Sequence, residues 1–356
     1  MDQPLNNTLF SGVKVVELAT ILAAPLVATF FRERGAEVIK IENPKTHGDP
    51  TRGWKPESEQ TAAGISAYYI SANGSKHVVY LDCFSEVEKV HALLADADVF
   101  ISNFPPSRLH KLGMDPSSLK IKYPKLVAGF LSGYTAVEKP AFDFLLQAET
   151  GLLSMTGISR EQLAKIPVAW IDVLAAHQLF EALLMGYIHR LRSGEGSCWK
   201  VSLEDTALAS LINQGSSALL NKTNPVPLGT LHPNIAPYGE CFTTSDKQAL
   251  ALAIGTDGQF AKLWEYFKHE LPPAHFTTNS LRLKHRDELQ NALASEFAKV
   301  KAAELLDHCR ANTIPLGRIH TVEEALSTAS AKNLIRTEQY SEGGFERIQS
   351  QVGKMI

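Results

Sequence analysis

From Val13 to Leu131 the apolar positions fall into short, nearly continuous runs, separated by longer stretches with helical spacing. The runs KVVEL (14–18), EVIKI (37–41), HVVYL (77–81), VFIS (99–102) and LVAGFL (126–131) are rich in β-branched residues. Runs of that kind are characteristic of parallel strands covered on both faces. Between them, APLVATFFRER (24–34) and EVEKVHALLADA (86–97) place apolar residues on one helical face. The alternation predicts βαβ units and a Rossmann-like α/β domain. In such a sheet a ligand lies outside the carboxyl ends of the strands, which directs attention to loops 43–52 and 103–111.

Farther along, Leu174, Leu179, Phe180, Leu183, Leu184, Tyr187, Ile188 and Leu191 recur at helical intervals, and SGEG (193–196) stops the pattern. The spacing predicts one long amphipathic helix over 172–191, then a strand at WKVS (199–202) and a helix over 203–220. NKTNPVPLGTLHPNIAPYG (221–239), with its clustered Pro and Asn, reads as a linker. Beyond it, ECFTT (240–244) and ALALAI (249–254) predict antiparallel strands, with helices over 259–268, 281–300 and 302–311 and a strand at PLGRI (315–319). The expected organisation is a large α/β domain over 1–222, a smaller α+β domain over 223–320 and a segment over 321–356 that returns toward the large domain.

Composition narrows the function. Over 356 residues, 44% are hydrophobic and 21% charged, ample material for packed cores. Lys and Arg number 35 against 38 Asp and Glu, with no basic block, so nucleic acid is not an expected partner. Cys83, Cys198, Cys241 and Cys309 form no CxxC pair, which points to reduced thiols and a cytoplasmic protein. No secretory pattern opens the chain, and no run is expected to span a membrane. The turn after the first strand reads ATILAAP (19–25) where a dinucleotide binder has GxGxxG, and neither a P-loop, a GxSxG elbow nor an HExxH pair occurs. No metal, nicotinamide or flavin is therefore expected.

The sharpest remaining feature is Asp172 in IPVAWIDVLAAH (166–177), a carboxylate at the mouth of the long helix after an apolar approach. Asp at such a place is often simply an N-cap. A carboxylate held ionised by the helix dipole is also the form that attacks an acyl carbon.

Nine segments in order, among them GVKVVELATILAAP (12–25), RGAEVIKIENP (34–44), GDPTRGW (48–54), ADVFISNFPPSRLHKLG (97–113), PAFDFLLQAETGLLSMTG (140–157) and VAWIDVLAAHQLFEALLMGYIHRLRSGEG (168–196), resemble the class III CoA-transferases. That group contains formyl-CoA transferase, carnitine CoA-transferase and the α-methylacyl-CoA racemases. The resemblance implies two-domain subunits interlocked into a ring-like homodimer, with acyl-CoA and a small carboxylic acid as substrates. It implies Asp172 as a nucleophile that carries a mixed anhydride and then an aspartyl-CoA thioester. For CoA it implies contacts from Leu22, Ala23, Asn43, Leu81, Asn103 and Phe104, with Lys111 and Leu112 at the adenine end, Lys139 as a further cation and Asp143 as an acidic residue lining the site. The same resemblance admits a racemase or isomerase, or a catalytically silent CoA-binding protein.

Three departures from the group bear on this. Asn43 stands where many relatives have a basic residue, Phe142 stands where the racemases carry a His, and the region of the formyl-CoA transferases' glycine-rich loop reads AIGTDGQF (253–260). A racemase needs two acid/base groups at the α carbon, so Phe142 favours transfer over racemisation.

Overall fold

The structure is a computed structural model in which residues 8–59, 64–268, 270–340 and 343–353 are described. The chain divides into two compact units. The first comprises residues 1–152, 165–223 and 330–356, and the second 153–164 and 224–329. The expected large domain over 1–222 is thus interrupted, because residues 153–164 fold with the second unit. Residues 321–329 also belong to that unit and not to the returning segment.

The first unit is built on β1 (Lys14–Leu18), α1 (Ala23–Arg32), β2 (Glu37–Glu42), α2 (Ala67–Asn73), β3 (His77–Tyr80), α3 (Val87–Ala95), β4 (Val99–Ser102), α4 (Pro106–Lys111), α5 (Pro116–Lys122) and β5 (Val127–Ser132). It continues through α6 (Asp143–Glu149), α7 (Trp170–Ser193), β6 (Ser197–Ser202), α8 (Leu203–Ala209) and α9 (Ile212–Asn221). All six strands are parallel, in the order β3-β2-β1-β4-β5-β6. The order reverses between β1 and β4, and such a switch point opens a crevice at the carboxyl ends of the two strands.

Helix α7 is the sheet's main cover on one side. Gly129 on β5 accepts Leu179 and Leu183 from α7, and an added Cβ there would stand 3.0–3.1 Å from their methyl groups. Gly186 lets α7 press onto the sheet, since a Cβ would come within 2.5 Å of Trp199 Nε1 and 2.8 Å of a Val127 methyl. Phe30 and Phe31 of α1 wedge against Phe180 of α7, with ring centroids 5.4 and 4.9 Å away. Each such buried ring contributes about 1.5–3 kcal/mol. With 24 residues and a mean hydropathy of 1.3 over its most apolar window, α7 is long and apolar enough, by length and composition, to cross a bilayer. Its buried face, from Ile171 to Gly186, is used by the sheet and α1.

The expected helix over 203–220 is two helices, Leu203–Ala209 and Ile212–Asn221, and Ile212, which opens the second, takes a positive φ of 40°. A C-terminal hairpin, Ile335–Tyr340 with Gly343–Ile348, also belongs to this unit. Arg347 of that hairpin is buried and pairs with Glu33 and Glu338.

The second unit has a three-stranded antiparallel sheet of Tyr238–Thr243, Ala249–Ala253 and Leu316–Arg318. Helices Asp257–Lys268, Asn279–Lys284, Arg286–Phe297 and Ala302–Ala311 close its core around Phe260, Trp264, Leu289, Leu293, Phe297 and Leu305. The expected helix over 281–300 breaks at His285.

Candidate functional site

The crevice at the switch point is a cavity of about 600 Å³. Its walls come from the ends of four central strands and the loops after them: Leu18–Ala23 after β1, Ile41–Asn43 and Gly48 after β2, Asn103–Pro106 after β4 and Leu131–Lys139 after β5. Asp172 also lines it.

The β1–α1 turn is strained. Ile21 is β-branched yet has a φ of 76°, a region such residues rarely occupy. Two side chains hold it there. Asn103 clamps Thr20 from β4, accepting its N–H at 3.1 Å and donating to its carbonyl at 2.8 Å. Asp49 accepts the Ile21 N–H with both oxygens, at 3.2 and 3.3 Å.

Asp49 is itself fixed by a buried charge cluster. Lys40 Nζ lies 3.1 Å from Asp49, 2.7 Å from Glu17 and 2.9 Å from the Ala19 carbonyl. Lys76 Nζ pairs with the other oxygen of Glu17 at 2.7 Å and donates to the Pro25 carbonyl at 2.7 Å. All four side chains are buried, and two carboxylates against two ammoniums leave the cluster neutral. Burial alone would lower Lys40, but Glu17 and Asp49 outweigh it and hold the ammonium above its ordinary value. Burial prevails at Lys76, which falls to about 8.

Asp172 is not the N-cap. Ala169 holds that position without a side-chain cap, and Asp172 is the third helical residue. The cap comes from α6, where Asp143 Oδ1 accepts the N–H groups of Ile171 at 2.7 Å and Asp172 at 3.3 Å. The Asp172 side chain is 9% exposed, and among the described residues its carboxylate has no hydrogen-bond partner. Burial first, and then the charge of Asp143, push its pKa up to about 7. The expected stabilisation of an ionised Asp172 by the helix amides is overturned, because those amides are given to Asp143. Tyr68 on α2 faces the same ground, and burial, followed by Asp172, Asp143 and Asp49, pushes its phenol up to about 12.

The structure brings Leu22, Ala23, Asn43, Leu81, Asn103, Phe104, Lys139 and Asp172 to one cavity. Asn43 spends its Oδ1 on the Lys45 N–H at 2.9 Å. Lys139 sits 3.9 Å over the Tyr134 ring and pairs with Glu149 at 3.1 Å.

Three expected site residues lie elsewhere. Leu112 is 3% exposed in the core behind β4, so it offers no surface. Lys111 ends α4 and does not line the cavity. Asp143 is committed to the α7 amides and is likewise outside the lining. The cation on α4 that does line the cavity is Arg108, whose guanidinium lies 5.7 Å from the centroid of the Phe104 ring. Lys111, the basic residue the resemblance implies, stands one helical turn farther along α4. Ser132, Gly133 and Tyr134 at the end of β5 also line the cavity, and no motif in the sequence singles them out. Arg52 is structural, held by Glu42 at 2.7 Å and by the Tyr69 hydroxyl at 2.6 Å.

The model of CoA-transferase family III matches residues 10–352. The chain belongs to this family. Among curated relatives, succinate–glutarate CoA-transferase of Agrobacterium fabrum is 34% identical over 91% of this chain and 83% of its own length. Succinyl-CoA:glutarate CoA-transferase of Mus musculus is 28% identical over 89% of this chain and 73% of its own. A crystal structure of a CAIB/BAIF family protein from Brucella suis superposes with a TM-score of 0.79 at 31% identity, covering 98% of this chain and 97% of the other. This family III member is thus a CoA-transferase enzyme, and its cavity lies where the strand order of its own parallel sheet reverses.

Proposed function

We propose that the enzyme moves CoA between carboxylic acids through Asp172. The carboxylate attacks the thioester carbonyl of the donor acyl-CoA, the C–S bond breaks, and CoA leaves as thiolate from a mixed anhydride. The thiolate then attacks the aspartyl carbonyl, which releases the donor acid and leaves an aspartyl-CoA thioester. An acceptor carboxylate attacks that thioester, expelling the thiolate, which in turn attacks the acceptor's acyl carbon and restores Asp172. Atoms and charge balance without an external proton donor.

One observation carries this reading: an aspartate on a cavity wall, almost buried and with its oxygens unpartnered among the described residues. A carboxylate so placed is poorly solvated and free to attack, whereas a structural aspartate would be paired. The loops after β1, β2, β3 and β4, with Leu22, Ala23, Asn43, Leu81, Asn103 and Phe104, give CoA a groove of backbone amides and apolar walls. Arg108 and Lys139 supply cations for its phosphates. The relatives named for succinate and glutarate make short dicarboxylic acids the first to test.

The subunit is further proposed to act as a homodimer in the cytosol. Ile212, Leu219 and Leu220 stand 72%, 72% and 82% exposed on α9, an apolar strip that a second subunit would cover.

The test is incubation with a donor acyl-CoA, quenching with hydroxylamine and mass spectrometry of the peptide containing residue 172. A hydroxamate on Asp172 is expected, together with loss of CoA exchange in Asp172→Asn. Exchange at the parental rate in that variant refutes the assignment. Deuterium wash-in at the α carbon without an acceptor acid would indicate the racemase reading.

A further inference from the structure

We propose that Asp143 and Gln147 act as a positioning pair, supplying the acceptor that the opening turn of α7 lacks and thereby leaving the Asp172 carboxylate free for substrate. The inference rests on the proposed role of Asp172.

A helix begins with four N–H groups that have no partner inside it. An acidic residue at the third helical position commonly folds back to accept from that turn. Asp172 occupies this position, and Ala169 before it has no side chain with which to compete. If Asp172 capped its own helix, its oxygens would be engaged and turned from the cavity. Asp143 prevents this from another helix, with Oδ1 on the N–H groups of Ile171 and Asp172.

Gln147, fully buried one turn along α6, fixes which atoms Asp143 presents. Its Oε1 accepts the Ile166 N–H at 2.9 Å, and its Nε2 therefore donates to Asp143 Oδ2 at 2.5 Å. The backbone N–H of Ile166 orients the amide, the amide requires an acceptor, and only a carboxylate at position 143 accepts on both sides. With Asn at 143, one donor must face another whichever way the two amides are turned.

This logic defines a rescue. In Asp143→Asn combined with Gln147→Glu, the Asn donates to the new carboxylate, which still accepts from Ile166, while the Asn oxygen keeps the α7 amides. The negative charge moves from 143 to 147, and the hydrogen-bond pattern is restored.

The experiment uses the full-length enzyme and compares Asp143→Asn, the double variant and the parent for kcat, KM for acyl-CoA and pH profile. At pH 8.5, where Asp172 is largely ionised in each, the single variant is expected to lose kcat about tenfold or more. Its KM for acyl-CoA should stay within about threefold, and the double variant should recover most of kcat. The ionisable groups facing Asp172 are Asp143 from α6 and Tyr68 from α2. Loss of the 143 charge should therefore also shift the acid limb of kcat to lower pH.

Parental kcat and pH profile in Asp143→Asn would overturn the proposal. So would a double variant that folds but is as slow as the single one, since that would make the 143 carboxylate itself the needed group. Asp172→Asn separates the two levels: if it is active the nucleophile is misassigned, and if it is inert while Asp143→Asn matches the parent, only the pairing fails.

Discussion

Replacing Asp172 by Asn should stabilise the protein while abolishing its activity, and the gain should depend on pH in a calculable way. The folded carboxyl titrates at about 7, against 3.8 for a solvated aspartate. At about 1.36 kcal/mol per pH unit, this gap means that ionising Asp172 inside the fold costs up to about 4 kcal/mol. The sign follows from proton binding. The folded state holds this proton more tightly than the unfolded chain, so the cost is absent below about pH 4. It grows as pH rises from there to 7, while the unfolded chain ionises and the fold does not, and it is constant above 7. Asn has nearly the same outline and, among the described residues, gives up no hydrogen bond of the carboxylate. The variant should therefore gain about 1–2 kcal/mol at pH 5 and about 2–4 kcal/mol at pH 8, the lower figure allowing for water in the cavity. Urea unfolding followed by tryptophan fluorescence, at one protein concentration and both pH values, measures the difference. A gain that is equal at the two pH values, or a loss at pH 8, would refute the claim that Asp172 is held in an unfavourable charged state.

The same titration predicts a steep rate profile: because the proposed attacking form is the carboxylate, kcat/KM should fall about tenfold from pH 8 to pH 6, whereas an ordinary aspartate would give a flat line over that range. Lys40→Met leaves Glu17 and Asp49 short of a cation in a buried site, and should cost about 3–5 kcal/mol in chemical denaturation. Gly48→Ala places a Cβ 2.1 Å from Glu42 Oε2 at a φ of 84°, so it should break the Arg52–Glu42 pair and lower stability by about 1–3 kcal/mol, with a raised KM for acyl-CoA.

What the sequence disclosed, and what it hid, follow from the range of the interactions involved. The central strands were legible because parallel strands buried on both faces leave continuous apolar runs such as VFIS and LVAGFL. Lys40 and Lys76 were not legible as core residues. A lysine in or beside a strand reads as solvent-facing, and only the sheet order brings Lys40 to Glu17 across the β1–β2 pairing and Lys76 to the same carboxylate. The C-terminal hairpin escaped prediction for a similar reason, since its buried member is Arg347, paired with Glu33 far away in sequence. On α4, the choice between Arg108 and Lys111 depends on how the short helix leaves β4, and spacing alone does not fix that. Asp172 stood out because an acid follows an uninterrupted apolar approach, but the cap that frees it comes from a residue 29 positions earlier.

The two charge systems at this crevice differ in a way that bears on catalysis. Around the β1–α1 turn, Glu17, Lys40, Asp49 and Lys76 balance, and the result is a rigid wall that holds Ile21 in a strained conformation. At the α7 entrance, Asp143 and Asp172 share one region, and among the described residues no ion pair reaches either of them. Asp143 is compensated by amides, while Asp172 is compensated by nothing that the described residues supply. Such an imbalance destabilises the resting carboxylate. In the proposed mechanism, forming an anhydride or a thioester on Asp172 would remove its charge, so each covalent intermediate would relieve the repulsion from Asp143 and the desolvation at once. The covalent states would thereby lie nearer in energy to the free enzyme, which is what reversible exchange between two acids of similar energy requires.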